Sequence, residues 1–172
     1  MARAPRIEPR DMGGDPDQPP PRILGTVAVH PHLLAPMLQF SAALASGVLP
    51  RRASEILALR AAWNCRSDFE WGHHTNYGLA AGLSQDEIDR LAGGDSSIGW
   101  NAADSLLIDA ADELHSSQDL SDVTWEGLAA TWEEAQLIEI PFVVGQYTML
   151  SMVAKATGVP VDEALPKFPD KT

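Results

Sequence analysis

The sequence predicts an all-α protein, and three observations carry that prediction. From His32 onward apolar residues recur at spacings of three and four, and no stretch sustains the strict alternation of a half-buried strand. Helix punctuation recurs along the chain, from Gly47 and Pro50 through Gly82, Ser84 and Gly93-Gly94 to Gly158. The length of 172 residues, with 45% apolar content, suits one domain with a substantial core.

Residues 1–25 precede the periodic region. They hold Pro5, Pro9, Pro16, Pro19, Pro20 and Pro21 together with Gly13 and Gly14. That composition describes an arm without a core of its own, either disordered or laid along a neighbouring subunit. The helical domain is expected over 26–172. Its first helix spans about 31–46, with Leu33, Leu34, Met37, Leu38, Phe40 and Leu44 on its apolar side, and Gly47 and Pro50 end it. The second begins after Pro50 and carries Ile56, Leu57, Leu59 and Trp63. The third contains Ser67–His74 and stops at Gly82, a residue suited to the C′ position. Ser84-Gln85-Asp86-Glu87 is a capping box that opens a short fourth helix, closed by Gly93-Gly94. The fifth, over 101–117, turns Leu106, Leu107, Ala110 and Leu114 inward and Asp104, Asp109, Asp112 and Glu113 outward. Ser121 or Asp122 caps a sixth around Trp125, Leu128 and Trp132. The last, over about 134–157, is apolar on nearly all sides, as expected of a helix central in the domain or buried between subunits. Pro141 inside it removes one backbone donor and should kink it.

Formal net charge is −12, and residues 84–139 carry 14 acidic side chains against one basic, Arg90. Nucleic acid and anionic membrane surfaces, which need clustered Lys and Arg, are excluded as partners. The acidic stretch reads as a solvated helix face. The single cysteine, Cys65, rules out an intramolecular disulfide, a thiolate zinc site and a Cys-x-x-Cys pair. The apolar run Leu137–Ala156 is broken by Glu139, Gln146 and Lys155 and is too polar for a membrane span. With no apolar secretory run at the N-terminus, a cytoplasmic location is expected.

The chemistry-bearing segment is Ser67-Asp68-Phe69-Glu70-Trp71-Gly72-His73-His74. Glu70 and His74 are four apart and share a helix face. A carboxylate can orient an imidazole, and a carboxyl group held against apolar rings, here Phe69 and Trp71, acquires a raised pKa and can act as a general acid. The same spacing also describes a surface ion pair worth a few tenths of a kcal/mol to its helix. His73, three from Glu70, shares that face, so which histidine turns inward stays open. Glu70-x-x-His73 has the form of a di-iron ligand pair, but no second copy exists, and neither metal nor cofactor is expected. His30 and His32 read as structural, and His115 as complementing a helix dipole. Cys65, beside Arg66, is the one candidate thiol nucleophile, and it reads more simply as a small buried residue.

Three stretches together resemble the carboxymuconolactone decarboxylase and alkylhydroperoxidase-like (AhpD-like) superfamily. They are Glu55 through Arg60 to Trp63, Ser67 through Glu70-Trp71 to His74, and Ala81-Gly82-Leu83-Ser84 through Glu87-Ile88. The run from Glu139 through Gly145-Gln146-Tyr147, and then Ala156 to Asp162, is similar to that family's C-terminal helix, so the resemblance covers about residues 30–165. The peroxidase branch carries Cys-x-x-Cys-x-x-x-His, with a glutamate twelve residues before the first cysteine. Laid on His74, the motif puts Ser67 and Glu70 at the two thiol positions and Glu55 at the upstream glutamate. The proton-relay positions are filled, and the redox thiols are replaced. The resemblance implies an AhpD-like helical bundle that forms homo-oligomers, trimers or hexamers. It also implies a site at the N-terminal end of the third helix, where backbone amides and the dipole favour an anion.

The resulting expectation is a cofactor-independent, decarboxylase-like lyase acting on a small cyclic or unsaturated carboxylate or lactone. Glu70, His74 and Glu55 are its acid–base groups. Ser67 is expected as a hydrogen-bond donor and Arg60 as a carboxylate anchor. Phe69, Trp71, His73 and Tyr147 are expected to line the site, with Trp63 as a further wall. Two alternatives use the same chain differently: an alkylhydroperoxidase-like antioxidant enzyme working through Cys65, and a non-catalytic oligomeric protein that binds a small molecule.

Overall fold

The computed structural model describes residues 5–14, 20–93, 96 and 98–169. These residues form helices and no strand: α1 (Arg22–Val27), α2 (Pro31–Ala45), α3 (Arg51–Asn64), α4 (Asp68–Ala80), α5 (Gln85–Leu91), α6 (Ala102–Ser116), α7 (Asp122–Ala129) and α8 (Glu134–Thr157). The architecture follows from α3. Every residue from Ala53 to Ala62 is buried, which a helix achieves only when neighbours enclose it on all sides. Those neighbours are α4, α6 and α8, with α5 closing one end. Ile56, Leu57 and Leu59 of α3 share one core with Ile88 and Leu91 of α5, Leu107 and Ile108 of α6, and Ile140 and Val143 of α8. Each of these large side chains contributes about 1.5–3 kcal/mol by leaving water.

The helix boundaries have local causes. The Ser67 side chain accepts from the Glu70 N–H at the start of α4, and Gly82, with φ +91°, turns the chain after it. Ser84 and Glu87 form the expected capping box on α5, Asn101 caps α6, Ser121 caps α7, and Gly158 ends α8 in the left-handed region. Arg52 ties three helices together, with Nη2 at 2.6 Å from Glu87 and 2.8 Å from Asp104. Its guanidinium, hydrogen-bonded to Glu87, brings that carboxyl down to about 2.

Two expectations change, for the arm and for α2. Within the segment read as an arm, Arg22–Val27 is helical, and Ile23 packs with Phe69, Ala154 and Val159. The described part of the arm lies along its own chain, with Arg6 N–H donating to the Thr157 carbonyl at 2.8 Å and Arg10 N–H to Gly25 at 2.9 Å. Residues 1–4 and 15–19, and the helix-closing Gly94, lie outside the described residues. The apolar side of α2 is only half-buried: Leu34, Met37, Phe40 and Leu44 are partly covered, Leu44 against the core, while Leu33 and Leu38 are exposed and no residue of α2 is fully buried. The enclosed helix is α3, whereas α8 is enclosed on one side only. Ile140, Val143 and Val144 face in, while Ile138, Phe142, Met149 and Met152 face out.

By length and composition α8 passes for a membrane span. It nevertheless packs as a core helix on one side, where Glu139 and Gln146 are buried and bonded within the domain. Glu139 Oε2 accepts the Val48 N–H at 2.7 Å and the Leu49 N–H at 3.2 Å, and Gln146 Nε2 donates to Ser41 Oγ at 2.7 Å. The helix continues through Pro141. Beyond it the chain returns over α4. Phe168 packs on Trp63 and Trp71, with ring centroids 5.2 and 5.0 Å apart, and the Lys167 carbonyl accepts the Trp71 indole N–H at 3.2 Å. Gly72 permits this crossing, since a Cβ there would stand 2.8 Å from Leu165 Cβ and 3.0 Å from the Pro166 carbonyl oxygen.

Candidate active site

The contact between α3, α4 and α8 places four functional side chains together. Glu55 projects from the enclosed face of α3, Glu70 and His74 from adjoining turns of α4, and Tyr147 from α8. Glu55, Glu70 and His74 are 1%, 3% and 4% exposed, so the i,i+4 pair is buried rather than a surface ion pair. Glu55 Oε2 lies 2.6 Å from His74 Nδ1. On the other side of the ring, Nε2 is 3.7 Å from Glu70 Oε2. The imidazole thus stands between two carboxyl groups. The Tyr147 ring meets it edge-on, with centroids 4.1 Å apart, and Tyr77 packs on it at 5.4 Å.

The two carboxyl groups occupy different environments. Glu55 also binds Arg51, one helical turn before it, through its other oxygen. As a carboxylate Glu55 only accepts, so His74 Nδ1 carries the proton and Nε2 is left to exchange one. Among the described residues Glu70 has no cation of its own, and Oε1 has no hydrogen-bond partner. Burial pushes Glu70 up to about 7, only partly offset by the attraction of a charged His74. Burial, followed by the Glu55 and Glu70 charges, raises Tyr147, which keeps its phenol neutral.

Other expected site residues lie elsewhere. Arg60 is not a substrate anchor. It is 5% exposed, its guanidinium clasps Asp112 at 2.6 and 2.7 Å, and Nη1 donates to the Leu91 carbonyl at 2.6 Å and to that of Gly93. Ser67 is fully buried, and its hydroxyl serves as the cap of α4. Trp71 and Trp63 stack with Phe168 as core. Phe69 belongs to the α1–α8 cluster and packs on His73 at 4.7 Å. His73 turns away from the relay towards Phe69 and Asp162, and burial lowers its pKa, so His74 is the inward histidine. Cys65 caps the end of α3, with its sulfur 4.0 Å from His115 Nδ1 and apart from the relay.

Arg51 and Tyr77 join the cluster without having been singled out from sequence. The available signals were spacing alone: Arg51 is four residues before Glu55, and Tyr77 three after His74. Among the described residues no group of three or more His, Cys, Asp or Glu side chains is arranged to hold a metal ion. Four cavities are lined by other residues, and Tyr77 and Tyr147 pack against the imidazole.

Residues 31–113 match the model of the carboxymuconolactone decarboxylase family, a stretch that includes Glu55, Glu70 and His74. The fold is similar to that of a protein of unknown function from Agrobacterium tumefaciens, suggested to be the antioxidant defence protein AhpD. The TM-score is 0.74 at 17% identity, covering 79% of this chain and 94% of that one. It is also similar to the debrominase Bmp8, with TM-score 0.74, 15% identity and coverage of 84% and 78%. Bmp8 has been solved as well with 2,3,4-tribromopyrrole, in a variant with one cysteine replaced by alanine. An uncharacterized peroxidase-related protein from a Silicibacter species is similar at TM-score 0.74 and 16% identity, over 86% of this chain and 80% of that one. At these identities the likeness is one of fold. No curated protein matches the sequence.

Proposed function

We propose, from the match of residues 31–113 to the carboxymuconolactone decarboxylase family, that this chain is a lyase that moves protons through Glu55, His74 and Glu70 on a small cyclic or unsaturated carboxylate or lactone. The observation that carries the reading is the pairing of one imidazole with two unlike carboxyl groups. Glu55, held by Arg51, fixes the tautomer. Glu70, desolvated and near 7, is protonated in a large fraction of molecules at neutral pH. When a substrate carboxylate leaves as CO₂, the electrons of the broken C–C bond pass into an adjacent carbonyl as an enolate. The enolate carbon is then protonated by Glu70 or by the imidazolium of His74, and solvent restores that proton. General acid–base help of this kind is worth roughly 10²–10⁴-fold. The neutral Tyr147 hydroxyl supplies a hydrogen-bond donor beside the developing oxyanion.

The exposed apolar residues of α8, with Leu33 and Leu38 of α2, support a homo-oligomer, which the family resemblance makes a trimer or hexamer. The geometry gives no support to a Cys65 peroxidase, because the thiol is outside the relay. One observation favours a second reading, a protein that binds without turnover: Glu55, Glu70 and His74 are buried and line none of the four cavities. A screen of unsaturated carboxylates and lactones for CO₂ release or isomerisation tests the first. Glu70→Gln and His74→Ala should each reduce any turnover at least about 100-fold while the oligomer stays intact. Turnover that survives both substitutions would remove the relay from the mechanism.

A further inference from the structure

The largest of the main cavities, about 640 Å³, lies away from Glu55, Glu70 and His74, between the start of α4, the end of α8 and the returning C-terminal segment. Its volume falls in the range that holds a small organic molecule. Phe69, Val159, Val161 and Phe168 supply apolar wall. Arg66, Lys155 and Lys167 supply charge, against a single carboxylate, Asp68. The chain has 12 basic and 24 acidic side chains, so three cations around one opening run against its composition. None of the three forms an ion pair among the described residues. Two are held in place by neutral partners. The Arg66 guanidinium lies 4.1 Å over the Trp63 ring, and Lys155 Nζ donates to the Cys65 carbonyl at 2.6 Å, which leaves it two further N–H groups.

We propose that this cavity binds an organic carboxylate with an apolar body, its charge set among Arg66, Lys155 and Lys167 and its body against Phe69 and Phe168. The assignment is independent of the lyase reading, and binding rather than turnover tests it. Calorimetric titrations of the full chain at low ionic strength would compare 4-phenylbutyrate and octanoate with the neutral 4-phenyl-1-butanol. Both acids should bind at least about fivefold more tightly than the alcohol. Lys155→Met and Lys167→Glu should each weaken the acids by about fivefold and leave the alcohol within twofold. Arg22→Glu on α1 changes net charge as Lys167→Glu does, and it should leave the acids within twofold. Lys167 is exposed, so its variant keeps the test valid if loss of the Lys155–Cys65 bond unsettles the fold. A preference for either acid supports the site and shows whether its body is alkyl or aryl. Equal binding of acid and alcohol, equal losses from Arg22→Glu and Lys167→Glu, or no binding of either acid overturns the proposal.

Discussion

Replacing Glu70 by glutamine should change the pH dependence of stability in a direction the geometry fixes. The carboxyl group sits near 7 in the folded chain, against an ordinary value of 4.5. The folded state therefore holds the proton more tightly than the unfolded state. The stability this contributes is complete below pH 4.5 and is lost as pH rises through 7. At 1.36 kcal/mol per pH unit, the loss is about 1 kcal/mol at pH 5 and about 3 kcal/mol at pH 8. Glutamine has nearly the same shape and never ionises. The variant's stability relative to the parent should then rise by roughly 2–3 kcal/mol between pH 5 and pH 8. Urea unfolding of both proteins at matched protein concentration, at intervals across that range, reads the difference directly. Working with the difference cancels the titration of the other carboxylates and leaves Glu70 with its coupling to His74. A difference that stays constant within about 0.5 kcal/mol, or that falls with pH, would refute the claim that burial holds this acid protonated.

Further outcomes follow from the same contacts. Arg60→Met strands the Leu91 and Gly93 carbonyls and leaves Asp112 to Asn64 and water. It should cost about 2–3 kcal/mol in urea unfolding while preserving the pH dependence due to Glu70. Gly72→Ala collides with Leu165 and Pro166 and should cost about 1–3 kcal/mol. The displaced segment would take Phe168 off Trp63 and Trp71, seen as a shift in tryptophan emission and faster proteolysis near the C-terminus. Cys65→Ser should leave stability within about 0.5–1 kcal/mol and any turnover unchanged, measured in the assay that detects the Glu70→Gln loss.

Local signals were read well from sequence and tertiary ones were not. Gly82, the Ser84–Glu87 box and Ser121 act within one turn of where they stand, so spacing suffices to find them. Periodicity also shows which residues share a face, but not what covers that face. The apolar residues of α2 and α8 were visible, yet only the fold reveals that Leu33 and Leu38 of α2 and part of α8 face outward. Arg22–Val27 is too short to show periodicity, and the prolines around it masked it. Arg60 and Arg51 are alike as letters. Arg60 is five residues after Glu55 and so points to another side of α3, where Asp112 meets it, whereas Arg51 is four before and stacks on the same side.

The same limit applies to the site's chemistry. Spacing paired Glu70 with His74, and the family resemblance added Glu55, but neither could say which carboxyl group is acid and which is anchor. That division follows from what each carboxyl group touches. Glu55 receives Arg51 on one oxygen and the His74 Nδ1 on the other, so its charge is met twice. Glu70 is equally buried, but its Oε1 has no partner, and the nearest cationic group is His74 itself, at 3.7 Å. If His74 is neutral, ionised Glu70 has almost nothing to stabilise it; if His74 is protonated, the pair shares its charge. Glu70 therefore keeps its proton through burial, against the pull of a charged His74, and adding a cation beside Glu70 would not merely strengthen the site. It would drain the proton that the site is built to keep.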